Sequence, residues 1–309
     1  RRVRTRRGDE GYLTLDLSLF LGLAIDGARS GLMYSLVALG IVLIYKSSSV
    51  PNLAQGALAM LGAFVALAVF EALKAPMWVA LPVAMVLMFL IGMGIERVAL
   101  RRLAGRPLVM ILMMTLALDI FVRAAALVVW GGTNRVLPLP ISSDPLFLGD
   151  VLINRSYVAG GVTALLLFGF FVLFFRTRMG IVLRAISDDY TASWSVGISV
   201  ERGVALSWAM SAAVATLAGA LWGSIQGVDQ SLSQLLLMGV AVAVLGGLDS
   251  IGGAIVAGLL LGMFQGVASG YLDRLVGGGS RELVVAATLV LTILIRPHGL
   301  FGREDIQRI

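Results

Sequence analysis

Polar, uncharged side chains interrupt two apolar stretches between Ser47 and Gly56. Pro51 cannot continue a helix from its N-terminal side, while Asn52 can cap the helix that follows. Asn52 and Gln55 are three residues apart and would project from one side of that helix's first turn. A broken helix with amide side chains suits a path for a polar solute, provided that the break faces protein or a water-filled cavity. A surface hairpin between two spans is the alternative that this pattern leaves open.

Few other residues in the chain could carry out bond chemistry. The sequence has no cysteine and its only histidine is His298, which excludes thiolate nucleophiles, disulfides, cysteine metal sites and histidine triads. Asp119 and Arg123 are four residues apart, and Asp26 and Arg29 are three apart, so each pair can neutralise itself within the membrane. A substrate site is the alternative interpretation of both pairs. We predict no catalytic residue, no metal site and no cofactor.

The chain also lacks a nucleotide-binding motif of its own. No G-x-x-x-x-G-K-[ST] sequence occurs, so this chain cannot bind ATP through a P-loop. No G-x-S-x-G elbow occurs either. If the protein uses energy, another subunit must supply it.

These residues must be positioned by membrane helices. Of the 309 residues, 59% are hydrophobic and only 14% are charged, and apolar runs of about 20 residues recur. We predict an all-α fold, a polytopic transmembrane helical bundle of 8–9 spans. The segment near 232–248 is short and is a candidate re-entrant segment. The predicted spans lie near 18–45, 55–73, 77–100, 107–130, 156–175, 203–225, 232–248, 250–270 and 282–296.

Arginines in the short loops indicate the orientation of the spans. The loop 96–106 holds four arginines and one acid, so we expect it in the cytoplasm. Counting spans then places 131–155 outside and 176–202 inside. Five arginines in the first seven residues fall outside by the same count, against the rule, which leaves the N-terminal side unresolved. The net charge of +6 comes largely from arginines at the N-terminus and at helix ends. Such arginines are typical of segments near anionic lipid, so the charge does not indicate nucleic-acid binding.

We divide the chain into a basic N-terminal arm (1–16), a single transmembrane domain (17–302) and a cytoplasmic tail (303–309). The largest polar element inside the domain is the loop 176–202, with four arginines and three acids. Such a segment is too costly to place in hydrocarbon. Its apolar residues recur at helical intervals, which indicates a docking surface rather than a linker. These residues are Ile181, Leu183, Ile186, Tyr190 and Trp194.

A ridge of small residues recurs every four positions near the C-terminus. Small residues at this spacing allow another helix backbone to approach closely. Packing within the chain and a subunit interface are both possible from the pattern. The ridge consists of Ala254, Gly258, Gly262, Gly266 and Gly270.

An ordered set of short motifs resembles the permeases of branched-chain amino acid ABC transporters, and more closely the H-type subunit of the leucine/isoleucine/valine system. The resemblance covers nearly everything from about residue 20 onward, and its strength lies in the order of the motifs rather than in any one of them. The motifs are Gly31…Tyr34…Ala38-Leu39-Gly40…Tyr45, Asn52-Leu53-Ala54-Gln55-Gly56, Met60-Leu61-Gly62-Ala63, Glu96-Arg97, Arg178-Met179-Gly180…Arg184-Ala185…Asp188…Ala192…Gly197-Ile198, Leu245-Gly246-Gly247…Ser250-Ile251-Gly252-Gly253-Ala254 and Arg296-Pro297-His298-Gly299-Leu300-Phe301-Gly302.

The resemblance implies a permease subunit of an ATP-driven importer in the bacterial inner membrane. Its implied partners are two cytoplasmic ABC ATPases, a second permease of the M type and an external solute-binding protein. It implies that Asn52, Gln55 and Gly56 border the translocation path. It also implies that a cytoplasmic coupling helix contacts the ATPase through Arg178, Gly180, Arg184, Ala185, Asp188, Ala192 and Gly197.

The solute is left open by a departure from the family pattern. Where many relatives have a histidine or glutamine followed by an acid, this chain has Gln55, Gly56 and the neutral Ala57. Related systems carry urea or short amides as well as leucine-like amino acids. A self-contained channel or an ion-coupled carrier is the alternative function, although unpaired membrane carboxylates are lacking.

Overall fold

The computed structural model describes residues 17–103, 105–139, 146–148, 151–153 and 155–302. The predicted N-terminal arm, 1–16, and the predicted tail, 303–309, lie outside the described residues. Helices dominate the described chain, as the composition predicts. One short antiparallel hairpin, which pairs Phe147 with Leu152, was not predicted.

Eleven α-helices and two strands follow one another along the described chain. They are α1 (Leu17–Ser48), α2 (Gln55–Leu73), α3 (Met77–Ile95), α4 (Leu108–Trp130), β1 (Leu146–Leu148), β2 (Val151–Ile153), α5 (Arg155–Phe174), α6 (Arg178–Asp188), α7 (Tyr190–Ser195), α8 (Val200–Gln226), α9 (Leu235–Gly246), α10 (Ile251–Val276) and α11 (Ser280–Ile295). A π-helical turn (Glu96–Leu100) and a 3₁₀ turn (Arg101–Leu103) extend α3, and a 3₁₀ turn (Gln230–Gln234) precedes α9.

Seven helices in the described ranges are long and apolar enough to cross a membrane. They are α1, α2, α3 with its extension, α4, α5, α8 and α10. The segments predicted as spans near 232–248 and 282–296 correspond to α9 and α11, which have 12 and 16 residues. Both are shorter than the roughly 20 residues that a full crossing requires. The count of 8–9 spans therefore stays a prediction.

The small-residue ridge of α10 lies directly against α1. A Cβ built at Gly258 would overlap the hydroxyl of Ser35, and one built at Gly262 would overlap the carbonyl oxygen of Gly27. Ser35 also donates a hydrogen bond to the carbonyl oxygen of Ala254, at 3.0 Å. The contact is therefore backbone on backbone, which only small residues permit. It fixes α1, the helix that leads into the Ser47–Gly56 segment.

Charged side chains near the ends of the long helices meet at two opposite ends of the bundle. At one, which we call the arginine-rich end, Arg101 contacts Glu201 at 3.5 Å and Lys46 donates to the carbonyl oxygen of Asp249 at 2.7 Å. At the opposite end, Arg135 lies 3.8 Å from Glu71. The loops 96–106 and 176–202 thus share one end, and the loop after α4 occupies the other, in the order that the arginine count predicts.

Candidate functional site

Three helices and the connection between α1 and α2 contribute to a buried cluster, which we call the polar junction: Gly40, Asn52, Gln55 and Ser211. The amide of Asn52 donates to Oε1 of Gln55 at 3.2 Å, and the hydroxyl of Ser211 lies 2.9 Å from the same oxygen. Ser211 Oγ is also 2.9 Å from the carbonyl oxygen of Gly40. Asn52, Gln55 and Ser211 are all fully buried. The junction therefore ties α1, α2 and α8 together through buried hydrogen bonds.

The local sequence folds the chain back into the protein at this point. Ser49 adopts a left-handed conformation, with φ at 55°, and α1 ends there. The carboxamide oxygen of Asn52 then accepts a hydrogen bond from the backbone N–H of Ala54, at 2.9 Å. The prediction that Asn52 caps α2 is wrong in detail. Ala54 occupies the N-cap position, and no side chain there accepts a hydrogen bond from the first turn of the helix. Asn52 satisfies the amide of Ala54 instead, just before the helix.

The junction lies within the depth of the bundle rather than at its surface. Ser211 is eleven residues beyond Val200, the first residue of α8, which places it about 16 Å along that helix. Gln55, the first residue of α2, meets it there. The surface-hairpin interpretation is therefore wrong, because exposed turns do not bury their amide side chains completely.

Glycines allow the close approach of the helices around the junction. A Cβ at Gly40 would overlap the amide nitrogen of Gln55, and a Cβ at Gly56 would overlap the carbonyl oxygen of Ser233, next to Leu236. The predicted path residue Gly56 thus packs against the start of α9. It does not share the hydrogen bonds of Asn52 and Gln55.

Two cavities lie on either side of the junction along α8. The outer cavity, of about 200 Å³, contains the stacked rings of Tyr34 and Trp222, whose centroids are 5.1 Å apart. It is lined by Tyr34, Trp222, Gln226, Ser231, Gln234, Leu235 and Met238. Aromatic and amide side chains together suit a small solute with apolar and polar parts.

The inner cavity, of about 120 Å³, lies between the junction and the arginine-rich end. Its walls include Pro51 and Trp208. Its charged groups are Arg101, the buried Glu96 at 2.9 Å from it, and Glu201 at 3.5 Å from it. On α8, Trp208, Ser211 and Trp222 are 3 and 11 residues apart, so they lie on one helix face. That face runs from the outer cavity, past the junction, to the inner cavity.

The loop 176–202 folds into a helical pair, α6 and α7, which we call the coupling unit after the role that the resemblance implies for it. Thr177 caps α6 by accepting from the backbone N–H of Gly180 at 3.4 Å. Asp189 interrupts the helix and caps α7 by accepting from the N–H of Ala192 at 2.8 Å. The sequence pattern suggested one continuous apolar stripe. The break at Asp189 shows that the apolar positions do not form one.

One face of the coupling unit is buried and the other is exposed. Leu183 and Ile186 are buried, and a Cβ at Gly203 of α8 would meet the side chain of Ile186. By contrast, Trp194 and Val196 are 72% and 73% exposed. Large exposed apolar groups are typical of a surface that contacts another protein or the membrane.

The residues assigned to coupling are spread over both faces. Gly180 is buried where α5 turns into α6, and Arg184 donates to the carbonyl oxygen of Phe175 at 2.9 Å. Arg178, Asp188, Ala192 and Gly197 are exposed, and Ala185 is half-buried. Gly197 has φ at 82°, which ends the unit with a turn that favours glycine.

The predicted membrane ion pairs are both formed. Asp119 and Arg123 on α4 are 2.5 Å apart, and Asp26 contacts Arg29 on α1. Each carboxylate is therefore paired with an arginine of the same helix.

Comparison with known proteins decides the family. Residues 23–295 match the sequence model of the family described as branched-chain amino acid transport system / permease component. The chain belongs to this permease family.

Three relatives cover most of this permease. One is a probable branched-chain amino acid transport permease, LivH, of Methanocaldococcus jannaschii, 30% identical over 86% of this chain and 88% of that protein. The high-affinity permeases BraD of Pseudomonas aeruginosa and LivH of Escherichia coli (strain K12) are each 28% identical, over 94% of this chain and 98% of theirs. These relatives are transport components rather than enzymes. Together with the seven long apolar helices, they show that the permease is a multi-pass protein of the bacterial inner membrane.

Sequence reasoning missed two members of the permease's polar junction. Gly40 and Ser211 are small residues within long apolar helices, and nothing in their local sequence indicates a shared partner. One signal in the sequence could have indicated Ser211: it lies between Trp208 and Trp222 on the same face of α8.

Proposed function

We propose that this permease is the membrane-spanning subunit of an ATP-binding-cassette importer. It moves a branched-chain amino acid or a related small polar solute, such as urea or an amide, handed over by a solute-binding protein. A cytoplasmic ATPase and a second, M-type permease complete the complex. One observation supports this most directly: the coupling unit exposes Trp194 and Val196 at the arginine-rich end of a chain without a P-loop.

The coupling unit contacts the helix that leads to the junction. The hydroxyl of Ser49, just after α1, lies 3.1 Å from both the carbonyl oxygen and the hydroxyl of Ser187 on α6. Leu183 and Ile186 add a packed apolar face against α1 and α8. When the ATPases close and push α6, the end of α1 and the start of α8 move with it. This movement shifts Asn52 and Gln55 relative to Ser211.

The path residues of the proposal remain Asn52, Gln55 and Gly56. In this conformation the hydrogen bonds of the junction close the route between the outer and inner cavities. Solute would enter beside Tyr34 and Trp222 and leave past the inner cavity once the junction separates. Because the junction is an amide network without a titratable group, opening it changes hydrogen bonds and not charge.

A single cysteine at Ala192 is expected to crosslink to the ATPase in the purified complex. Ala192 is exposed on α7, and the chain has no cysteine that could compete. Ser193→Cys is the matched control, because Ser193 is only 4% exposed on the same helix. A maleimide–benzophenone reagent attaches to the cysteine thiol and, on illumination, inserts into a C–H bond of any neighbouring protein. Gel analysis should then give a product with the ATPase for A192C and little for S193C. An active complex in which A192C gives no product would contradict the docking assignment.

Reconstitution separates the importer from the channel alternative. Proteoliposomes with the permease alone are expected to show no flux of radiolabelled leucine, while the complete complex takes it up only with ATP. Flux through the permease alone would favour a self-contained channel or carrier. Calorimetry of the partner binding protein against leucine, urea and short amides identifies the solute.

A further inference from the structure

A basic cavity opens at the arginine-rich end beside the membrane-facing surface of α5. It has a volume of about 350 Å³ and lies between the end of α1, the α5–α6 connection and the start of α10. Its cations come from three places in the chain: Lys46, Arg176 and Arg184. Val172, Phe175 and Phe301 form its apolar wall. The cavity lies apart from the proposed path, and Arg184 is the one of its described lining residues that is also assigned to ATPase contact.

The charge in this cavity favours an anion. Among the lining residues that the structure describes, three cationic side chains face one carboxylate, that of Asp249, and Arg176 and Arg184 alone exceed it by one positive charge. Among the residues that the structure describes, Arg176 and Arg184 make no ion pair. Arg184 donates to the carbonyl oxygen of Phe175, and Lys46 lies 5.4 Å from the centre of the Phe175 ring. The contact with Phe175 holds the guanidinium of Arg184 in place without neutralising it.

The apolar surroundings favour an anion that carries hydrocarbon. α5 is a candidate span that ends at Phe174, so the cavity lies where that helix leaves the hydrocarbon. On α5, before the cavity is reached, Leu166, Phe170 and Leu173 are 69%, 54% and 65% exposed. These residues would contact acyl chains in a membrane. Basic cavities between membrane helices at this level bind anionic lipid headgroups.

We propose that this cavity binds the phosphate of an anionic phospholipid headgroup, with the acyl chains along α5. Arg176 and Arg184 would donate charge-assisted hydrogen bonds to the phosphate oxygens. Ser250, at the start of α10, lines the same cavity, so the positive end of that helix dipole adds to the attraction. The bound lipid would then touch α1, α5, α6 and α10 at once.

The proposal is tested on the full chain, purified and delipidated in detergent, by native mass spectrometry with phosphatidylglycerol and with phosphatidylcholine of the same acyl chains. The wild type should retain phosphatidylglycerol in preference to phosphatidylcholine. Arg176→Gln should lower that preference about fivefold, the effect of one cation near a lipid surface. Arg176→Lys should restore most of it.

Arg102→Gln is the matched control, because Arg102 is exposed at the same end of the bundle and does not line the cavity. An equal loss in R102Q and R176Q would show general charge attraction and overturn the site. Displacement of the lipid by millimolar inorganic phosphate would also overturn it, because the cavity would then bind free phosphate. The ATPase is absent from this experiment, so its outcome is independent of the importer proposal.

Discussion

Replacing Gly262 with alanine is expected to prevent stable packing of α1 against α10. The added methyl would overlap the carbonyl oxygen of Gly27 and press on Gly31, both of which are backbone groups that cannot rotate away. Overpacking of this kind costs about 3 kcal/mol, while the higher helix propensity of alanine offsets about 1 kcal/mol. The unfolding free energy in mixed dodecyl maltoside and SDS micelles measures the difference.

Gly252→Ala is the matched control on the same helix. The nearest atom to a Cβ at Gly252 is a ring carbon of Phe168 at 3.7 Å, which is ordinary contact. This variant should keep the stability of the wild type or exceed it slightly. If G262A were as stable as G252A, the backbone contact between α1 and α10 would not exist in the membrane.

Replacing Gln55 with leucine is expected to reduce uptake strongly and to lower stability. The amide of Asn52 loses its acceptor and Ser211 keeps only the carbonyl of Gly40. A buried donor without a partner costs about 1–3 kcal/mol. If the junction is also the closing point of the path, ATP-driven uptake per folded complex should fall at least about tenfold, which corresponds to 1.4 kcal/mol in the barrier. Uptake into proteoliposomes, normalised to folded complex, measures this.

Gln265→Leu separates a path role from a purely structural one. Gln265 is also buried, but it lies on α10, away from the junction. It donates to the carbonyl oxygen of Arg281 on α11, at 3.3 Å. We expect Q265L to lower the unfolding free energy while leaving uptake per folded complex near that of the wild type. Equal losses of uptake in Q55L and Q265L would reduce the junction to a structural element.

Much of the architecture follows from local sequence. Apolar runs of about 20 residues have no stable alternative to helices in lipid, because every backbone group must be paired within its own segment. The ridge from Ala254 to Gly270 likewise indicates a close helix contact. The shortness of the segment that contains α9 was evident from the sequence. The short hairpin and the shortness of α11 were not, since apolar composition does not specify where a helix ends.

The coupling unit shows where local patterns reach their limit. The sequence of 176–202 indicates an amphipathic segment outside the membrane. It does not reveal the break at Asp189, because aspartate is tolerated both within a polar helix and as an N-cap. The break decides which apolar residues face water: Leu183 and Ile186 are buried, while Trp194 is exposed.

The sequence by itself indicated the class of protein, the long membrane helices and the missing nucleotide site, and it singled out Asn52 and Gln55 as candidates. Only the tertiary structure decided what those amides bond to. Gly40 and Ser211 are 171 residues apart and meet because α1 and α8 pack side by side. Hydrogen bonds between distant segments depend on which helices are neighbours, and a helix's own residue pattern indicates that one face is covered without indicating by which partner.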